Sequence, residues 1–242
     1  MTCQKILEAT PGILAHHEPY PKLFDLGYLK YLLSKKQCTR PFFKSEIINR
    51  RRKYFKSANL TKQFYAETSP HITFLIDDFI SITEEFKIVW LVRNPLDFVT
   101  SALNRNYYTT KSYNDTWRIH PFMGYNFSKN WSSLNLPSKC LWLWAETNKY
   151  IFNLIQSLPD DTVHIFQSSD IFLLNDNFLN FLNEVTGTKI KRSDLEKTTA
   201  VKHNKQNISL PENEDLKVSL FDERVLKYAS EISSIVCAEK LE

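Results

Sequence analysis

The feature that most constrains the fold is a near-continuous apolar segment, FKIVWLV at residues 86–92, followed at once by Arg93-Asn94-Pro95. A strand that is buried on both faces has such a sequence, and strands of this kind occur in parallel sheets covered by helices. Asn94 is a favourable N-cap, and Pro95 suits the first helical position, so a helix is predicted from Pro95 to about Arg105. The segment therefore predicts a strand–turn–helix unit of an α/β domain.

The same alternation of strand-length apolar runs and helical periods extends along most of the chain, which favours βαβ units. The predicted strands are Ile13–His16, Phe64–Glu67, Ile88–Val92 and Val163–Phe166. Helices are predicted at 2–9, 23–33, 46–55, 72–79, 95–105, 127–134, 139–158, 176–186 and 221–238, and a loop at 189–213. We therefore expect a single domain over residues 1–242, with three α/β/α layers around a central parallel sheet.

The composition excludes several classes of protein. Hydrophobic residues make up 43% of the chain and charged residues 24%, as in soluble globular domains. The net charge of +4 is far below that of a dedicated nucleic-acid binder, so no nucleic-acid partner is expected. No apolar run reaches the length of a transmembrane helix. The four cysteines have neither zinc-ligand nor redox spacing, which predicts free thiols.

The turn after residues 88–92 is the strongest candidate for a ligand site, because parallel sheets bind ligands at the carboxyl ends of their strands. Arg93 stands at such an end, and Ser101 follows eight residues later, about two turns along the predicted helix. A guanidinium binds a phosphate through two hydrogen bonds, and a helix N-terminus adds positive potential. The pattern predicts a phosphate-binding pair. The alternative is an arginine paired with a nearby carboxylate and a serine that merely faces solvent.

The segment LVRNPLDFVTS, residues 91–101, resembles the 3′-phosphate-binding segment of sulfotransferases that use 3′-phosphoadenosine 5′-phosphosulfate, or PAPS. Four further segments resemble this family in the same order along the chain: LEATPGILAHHEPYP, YAETSP, VHIFQSSDIF and NFLNFLNEVTGTKI. The similarity covers about residues 2–190. It implies the P-loop NTPase-like fold of the bacterial and Golgi-type enzymes, PAPS as co-substrate, and no metal. It implies that Arg93 and Ser101 bind the 3′-phosphate, with Lys202 and Lys205 as further candidates.

Sulfuryl transfer also needs a general base that takes the proton of the acceptor. His17-Glu18 follows the first predicted strand. The resemblance assigns the role of base to Glu18, with His17 as the second candidate. The alternative for both residues is a surface turn before Pro19.

The sequence departs from the family at one place. The family holds the 5′-phosphosulfate in a Ser/Gly/Thr-rich loop after its first strand, and this chain begins at Met1-Thr2, where that loop would end. Two hypotheses follow. The first is an enzyme, extended upstream, that transfers a sulfuryl group from PAPS to a hydroxyl or amine of a small molecule or carbohydrate. The second is a truncated or non-catalytic relative that binds adenosine 3′,5′-bisphosphate without turnover.

These hypotheses carry further expectations. The 242 residues alone are expected to have little or no sulfotransferase activity, and the missing strand is expected to leave a central gap or an exposed edge in the sheet. A small-molecule kinase is disfavoured because the sequence has no Walker lysine. The compartment is not assigned: the chain as written favours the cytoplasm, and an N-terminal anchor would favour the Golgi lumen.

Several other residues carry expectations of a structural kind. Glu67 is expected in a salt bridge, the basic run at residues 50–53 on a solvated helix face, and Trp142 and Trp144 in the core. The segment 106–125 is expected to shape an acceptor pocket or to pack as a lid on the domain. Its aromatic residues are Tyr107, Tyr108, Tyr113, Trp117 and Phe122.

Overall fold

Helices dominate the fold, and four short strands lie between them. The computed structural model describes residues 2–34, 40–109, 113–121, 126–200 and 218–238. The helices are α1 (Thr2–Ala9), α2 (Phe24–Leu33), α3 (Arg40–Thr61), α4 (Ile76–Ile80), α5 (Pro95–Asn104), α6 (Leu136–Ile155), α7 (Ser168–Phe172), α8 (Asp176–Thr186), α9 (Arg192–Ala200) and α10 (Glu223–Ala238). The strands are β1 (Ile13–His17), β2 (Phe64–Thr68), β3 (Ile88–Val92) and β4 (Val163–Gln167).

The strands form two parallel pairs. β1 pairs with β2 from Ile13↔Phe64 onward, and β3 pairs with β4 from Ile88↔Val163 onward. The prediction of an α/β protein with parallel strands is confirmed. The expected single central sheet is not formed by the described residues, whose two pairs belong to separate sheets. A local pattern predicts where a strand lies, but its neighbour is decided by hydrogen bonds between segments that are distant in sequence.

Most of the predicted helices are present with small shifts at their ends, but several predictions differ from the structure. The helix predicted at 46–55 extends over Arg40–Thr61, and the predicted loop at 189–213 contains α9. α9 was not predicted because the segment shows no apolar period and, among its described side chains, only Leu195 is fully buried. Residues 72–79, predicted as one helix, form a 3₁₀ turn followed by α4.

The core consists of three hydrophobic clusters. The largest surrounds α6 and includes Trp142 and Trp144, which confirms their predicted place in the core. A second cluster contains Ile13 and Ala15 of β1 and Phe166 of β4, and partly buried Ala66 of β2 and Val89 of β3 pack against it. α1, α7, α8 and α9 supply its helical side, so both strand pairs share one set of helices.

Candidate functional site

The junction between β3 and α5 has the form that the sequence predicts. The Asn94 side chain accepts hydrogen bonds from the amides of Leu96, at 2.9 Å, and Asp97, at 3.3 Å, and Pro95 occupies the first turn. These bonds satisfy two of the amides that the start of a helix leaves unpaired. Arg93, the residue just before this cap, is exposed at the carboxyl end of β3.

Two side chains from other elements fasten the backbone at this junction. The indole Nε1 of Trp144, on α6, donates to the Arg93 carbonyl at 2.9 Å. The Ser168 hydroxyl, at the start of α7, donates to the Val92 carbonyl at 3.2 Å. The strand end is therefore held from two directions. The sequence predicted Trp144 in the core but not its bond to Arg93. The one available signal was that a buried tryptophan usually finds a partner for its indole N–H.

The side chain of Arg93 is exposed to solvent. Within the described residues, no carboxylate forms a salt bridge with its guanidinium, so the predicted alternative of a structural ion pair is not met there. Ser101 lies half-buried on α5, two turns beyond the cap. That Arg93 and Ser101 meet at one anion stays a prediction, and Lys202 and Lys205 lie outside the described residues.

Trp144→Phe is expected to lower the free energy of unfolding by about 1 kcal/mol more than Trp142→Phe does. Both substitutions shrink a buried ring on α6, but only Trp144 donates to the strand end, and one hydrogen bond is worth about that much. Urea denaturation of the two variants measures the difference. An equal decrease in the free energy of unfolding for both variants would show that the bond from Trp144 to the Arg93 carbonyl makes no net contribution to stability.

The second candidate region is the end of β1, where His17 and Glu18 contact the end of β2. The Nδ1 of His17 lies 2.9 Å from the Thr68 carbonyl oxygen, and the Glu18 amide donates to the same oxygen at 3.1 Å. The same Nδ1 lies 3.0 Å from the Thr68 hydroxyl oxygen, so Thr68 contacts the ring through both its carbonyl and its hydroxyl. Burial lowers the pKa of His17, so the ring is neutral at pH 7. The Glu18 carboxylate lies 3.4 Å from the Lys22 ammonium.

A buried ion pair lies next to this region. The Arg51 side chain is 0% exposed and that of Glu67 4%, and they form two bonds, Nε to Oε2 at 2.7 Å and Nη2 to Oε1 at 2.8 Å. Tyr65 donates to the same carboxylate at 2.6 Å. The predicted salt bridge of Glu67 is confirmed. The predicted solvated face is wrong at Arg51, because the fold brings β2 against α3, and correct at exposed Arg52 and Lys53.

The described part of the segment 106–125 packs on the domain. The ring of Tyr108 lies 5.2 Å from that of Trp131, centre to centre, and Ile119 is buried in the core cluster around α6. Within the segment, Tyr108 also donates to the Ile119 carbonyl at 2.6 Å. These contacts fit a packed lid, and the role in acceptor binding stays a prediction. Phe122 and the side chain of Tyr113 lie outside the described residues.

In the part of the chain that the structure describes, no helix has both the length and the hydropathy of a membrane span. The same residues contain no group of three or more His, Cys, Asp or Glu arranged to hold a metal ion. Comparison with protein-family models, with curated proteins and with solved structures found no match for this chain.

Proposed function

We propose that this chain is a sulfotransferase-type domain that binds PAPS and transfers its sulfuryl group to a hydroxyl or amine of a small molecule or carbohydrate. The observation that carries the proposal is Arg93. It is an exposed cation at the carboxyl end of a parallel strand and directly before a capped helix N-terminus. This is the arrangement that binds a phosphate, since the guanidinium and the helix start both favour negative charge.

The two halves of the proposed site do different work. Arg93, with Ser101, binds the 3′-phosphate and so fixes the position of the nucleotide. Glu18, with His17 as the second candidate, takes the proton of the acceptor. The His17 imidazole beside Thr68 and the Glu18 carboxyl group beside Lys22 are both groups of the kind that serve as general bases.

The reaction is an in-line displacement without a covalent enzyme intermediate. The acceptor oxygen or nitrogen forms a bond to sulfur while the bond between sulfur and the bridging oxygen of the 5′-phosphate breaks. The acceptor proton passes to the base, and adenosine 3′,5′-bisphosphate leaves with the electron pair. The protein contributes positioning and charge stabilisation.

The proposed function also implies a particular fold. In that fold, the two strand pairs belong to one central sheet of a three-layer, P-loop NTPase-like domain. Its support is the cluster to which all four strands contribute, because strand pairs that pack on the same helices lie side by side or face to face.

Binding of adenosine 3′,5′-bisphosphate tests the proposal. Arg93→Ala is expected to weaken binding by about 1.5–3 kcal/mol, the range for a hydrogen bond to a charged group, or roughly 10- to 150-fold in the dissociation constant. Titration calorimetry on the wild type and the variant measures it.

Two controls make this test specific. Arg105→Ala removes an exposed cation just past the other end of α5 and should leave affinity unchanged. Adenosine 5′-monophosphate lacks the 3′-phosphate, so its affinity should not respond to Arg93→Ala. Equal affinity of wild type and Arg93→Ala for the bisphosphate would place the site elsewhere. Binding without sulfuryl transfer would favour the alternative, a relative that binds the nucleotide but does not turn it over.

A further inference from the structure

We infer that α3 is a clamp that positions the segment at residues 18–22, which carries the candidate base, and that Arg51 is its central positioning residue. The inference rests on the proposed function for its catalytic meaning. Three side chains of α3 donate hydrogen bonds to three successive main-chain carbonyls of this segment. The bonds run from Tyr54 Oη to the Tyr20 carbonyl at 2.8 Å, from Arg51 Nη1 to the Pro21 carbonyl at 2.6 Å, and from Arg50 Nη1 to the Lys22 carbonyl at 2.7 Å.

Bonds to carbonyls fix the path of the segment whatever its own side chains do. A loop carbonyl otherwise bonds to water, which leaves the backbone free to move. Here three consecutive carbonyls are bound by one helix, so a displacement of the segment breaks more than one bond at once. Such shared restraints hold a functional group in place more firmly than a single contact does.

The clamp is itself anchored on two other elements. Arg51 binds Glu67 of β2 through Nε and Nη2, which leaves Nη1 for the Pro21 carbonyl. Arg50 binds both oxygens of Asp25, on α2, at 2.6 and 2.8 Å. Only a guanidinium offers this number of donors in a fixed plane, so a lysine at either position could not make the same set of bonds.

The other end of the segment is anchored on the same strand. The Glu18 amide donates to the carbonyl of Thr68, the residue after Glu67 on β2. Glu18 also has a φ of +46°, a left-handed conformation that is unfavourable for a residue with a side chain and that persists only where the surroundings hold it. β2 therefore holds Glu18 directly, and holds Pro21 through Arg51. The base is held in place before the substrate binds, which is the condition for efficient proton transfer.

Two mild variants test the clamp. Tyr54→Phe removes only the hydroxyl that donates to Tyr20. Arg51→Lys keeps the buried positive charge but loses the planar guanidinium, whose N–H groups bond Glu67 and Pro21 at the same time. The readout is hydrogen exchange of the Glu18 amide, followed by NMR. Exchange is expected to rise about 5-fold in each variant, because each lost bond is worth about 1 kcal/mol to the ordered segment. Arg52→Lys is the control, since this neighbouring side chain is exposed and bonds only Asn49 within the described residues, at 3.3 Å.

The positioning role is tested by kinetics on the longest in-frame product of the gene. Turnover is measured per nucleotide-binding site, so that loss of folded protein does not count as loss of rate. In both variants kcat is expected to fall about 10-fold with the KM for PAPS unchanged, because the nucleotide is held at Arg93 while the base loses its alignment.

The two measurements test separate parts of the inference: the exchange rate tests the clamp, and kcat tests the positioning role. Unchanged exchange of the Glu18 amide in both variants overturns the clamp. Faster exchange with an unchanged kcat per site overturns the positioning role. If the wild-type product neither binds adenosine 3′,5′-bisphosphate nor transfers a sulfuryl group, the proposed function fails and the positioning role fails with it. The exchange measurement still decides in that case whether α3 orders residues 18–22.

Discussion

Arg51→Ala is expected to lower the free energy of unfolding by about 3–5 kcal/mol, which is the cost of removing one partner of a buried ion pair. The variant leaves the Glu67 carboxylate, 4% exposed, with the Tyr65 hydroxyl as its remaining hydrogen-bond donor among the described residues. It also frees the Pro21 carbonyl. Much of the loss is the cost of a buried charge without its counter-ion. Urea denaturation followed by circular dichroism measures it.

Two further variants separate this effect from a general loss of charge on α3. Arg52→Ala changes an exposed side chain one position along and should stay within about 0.5 kcal/mol of the wild type. Arg51→Met combined with Glu67→Leu should recover most of the loss, because apolar side chains of similar volume often replace a buried pair without cost. A loss for Arg51→Ala no larger than that for Arg52→Ala would contradict the expectation.

In the longest in-frame product of the gene, Glu18→Gln is expected to slow sulfuryl transfer by about 10²- to 10⁴-fold, the usual contribution of a general base. Glutamine has nearly the same shape but does not take up the acceptor proton. Binding of adenosine 3′,5′-bisphosphate should be unchanged, since the proposed 3′-phosphate site is at Arg93 on another strand. Transfer of radiolabelled sulfate from PAPS to a panel of hydroxyl and amine acceptors measures the rate.

His17→Gln is the matched variant for the base. If Glu18 is the base, His17→Gln lowers the rate much less than Glu18→Gln does. The reverse order would assign the proton to His17, an imidazole whose pKa is lowered by burial. Equal rates for wild type and both variants would remove the end of β1 from the mechanism.

The elements that were predicted from the sequence are those with local causes. β3 was predicted over Ile88–Val92 from its apolar run, and the strand is there, but it is not buried on both faces as expected, since Leu91 is 40% exposed. The start of α5 at Pro95 follows from Asn94, whose side chain bonds amides only two and three residues away. α8 ends at Gly187, whose φ of +64° is the left-handed conformation that glycine adopts freely after a helix.

The candidate site was predictable only in part. Arg93 was identified because a cation at a strand end before a helix is a local pattern. The bond from Trp144 to its carbonyl joins residues 51 positions apart, and no spacing rule predicts such a contact. The same holds for Arg51, since a run of four basic residues is typical of a solvated face.

The sequence by itself determined the α/β class, the position of each strand and the cap that precedes α5, because propensity, burial pattern and capping act over a few residues. Only the tertiary structure decided that the four strands form two separate pairs among the described residues. It also decided that Arg50 and Arg51 meet Asp25 and Glu67, while Arg52 stays exposed. The physical reason is that an ion pair or a strand ladder depends on which distant segments the core brings together, and a buried charge is stable only where that packing supplies its partner.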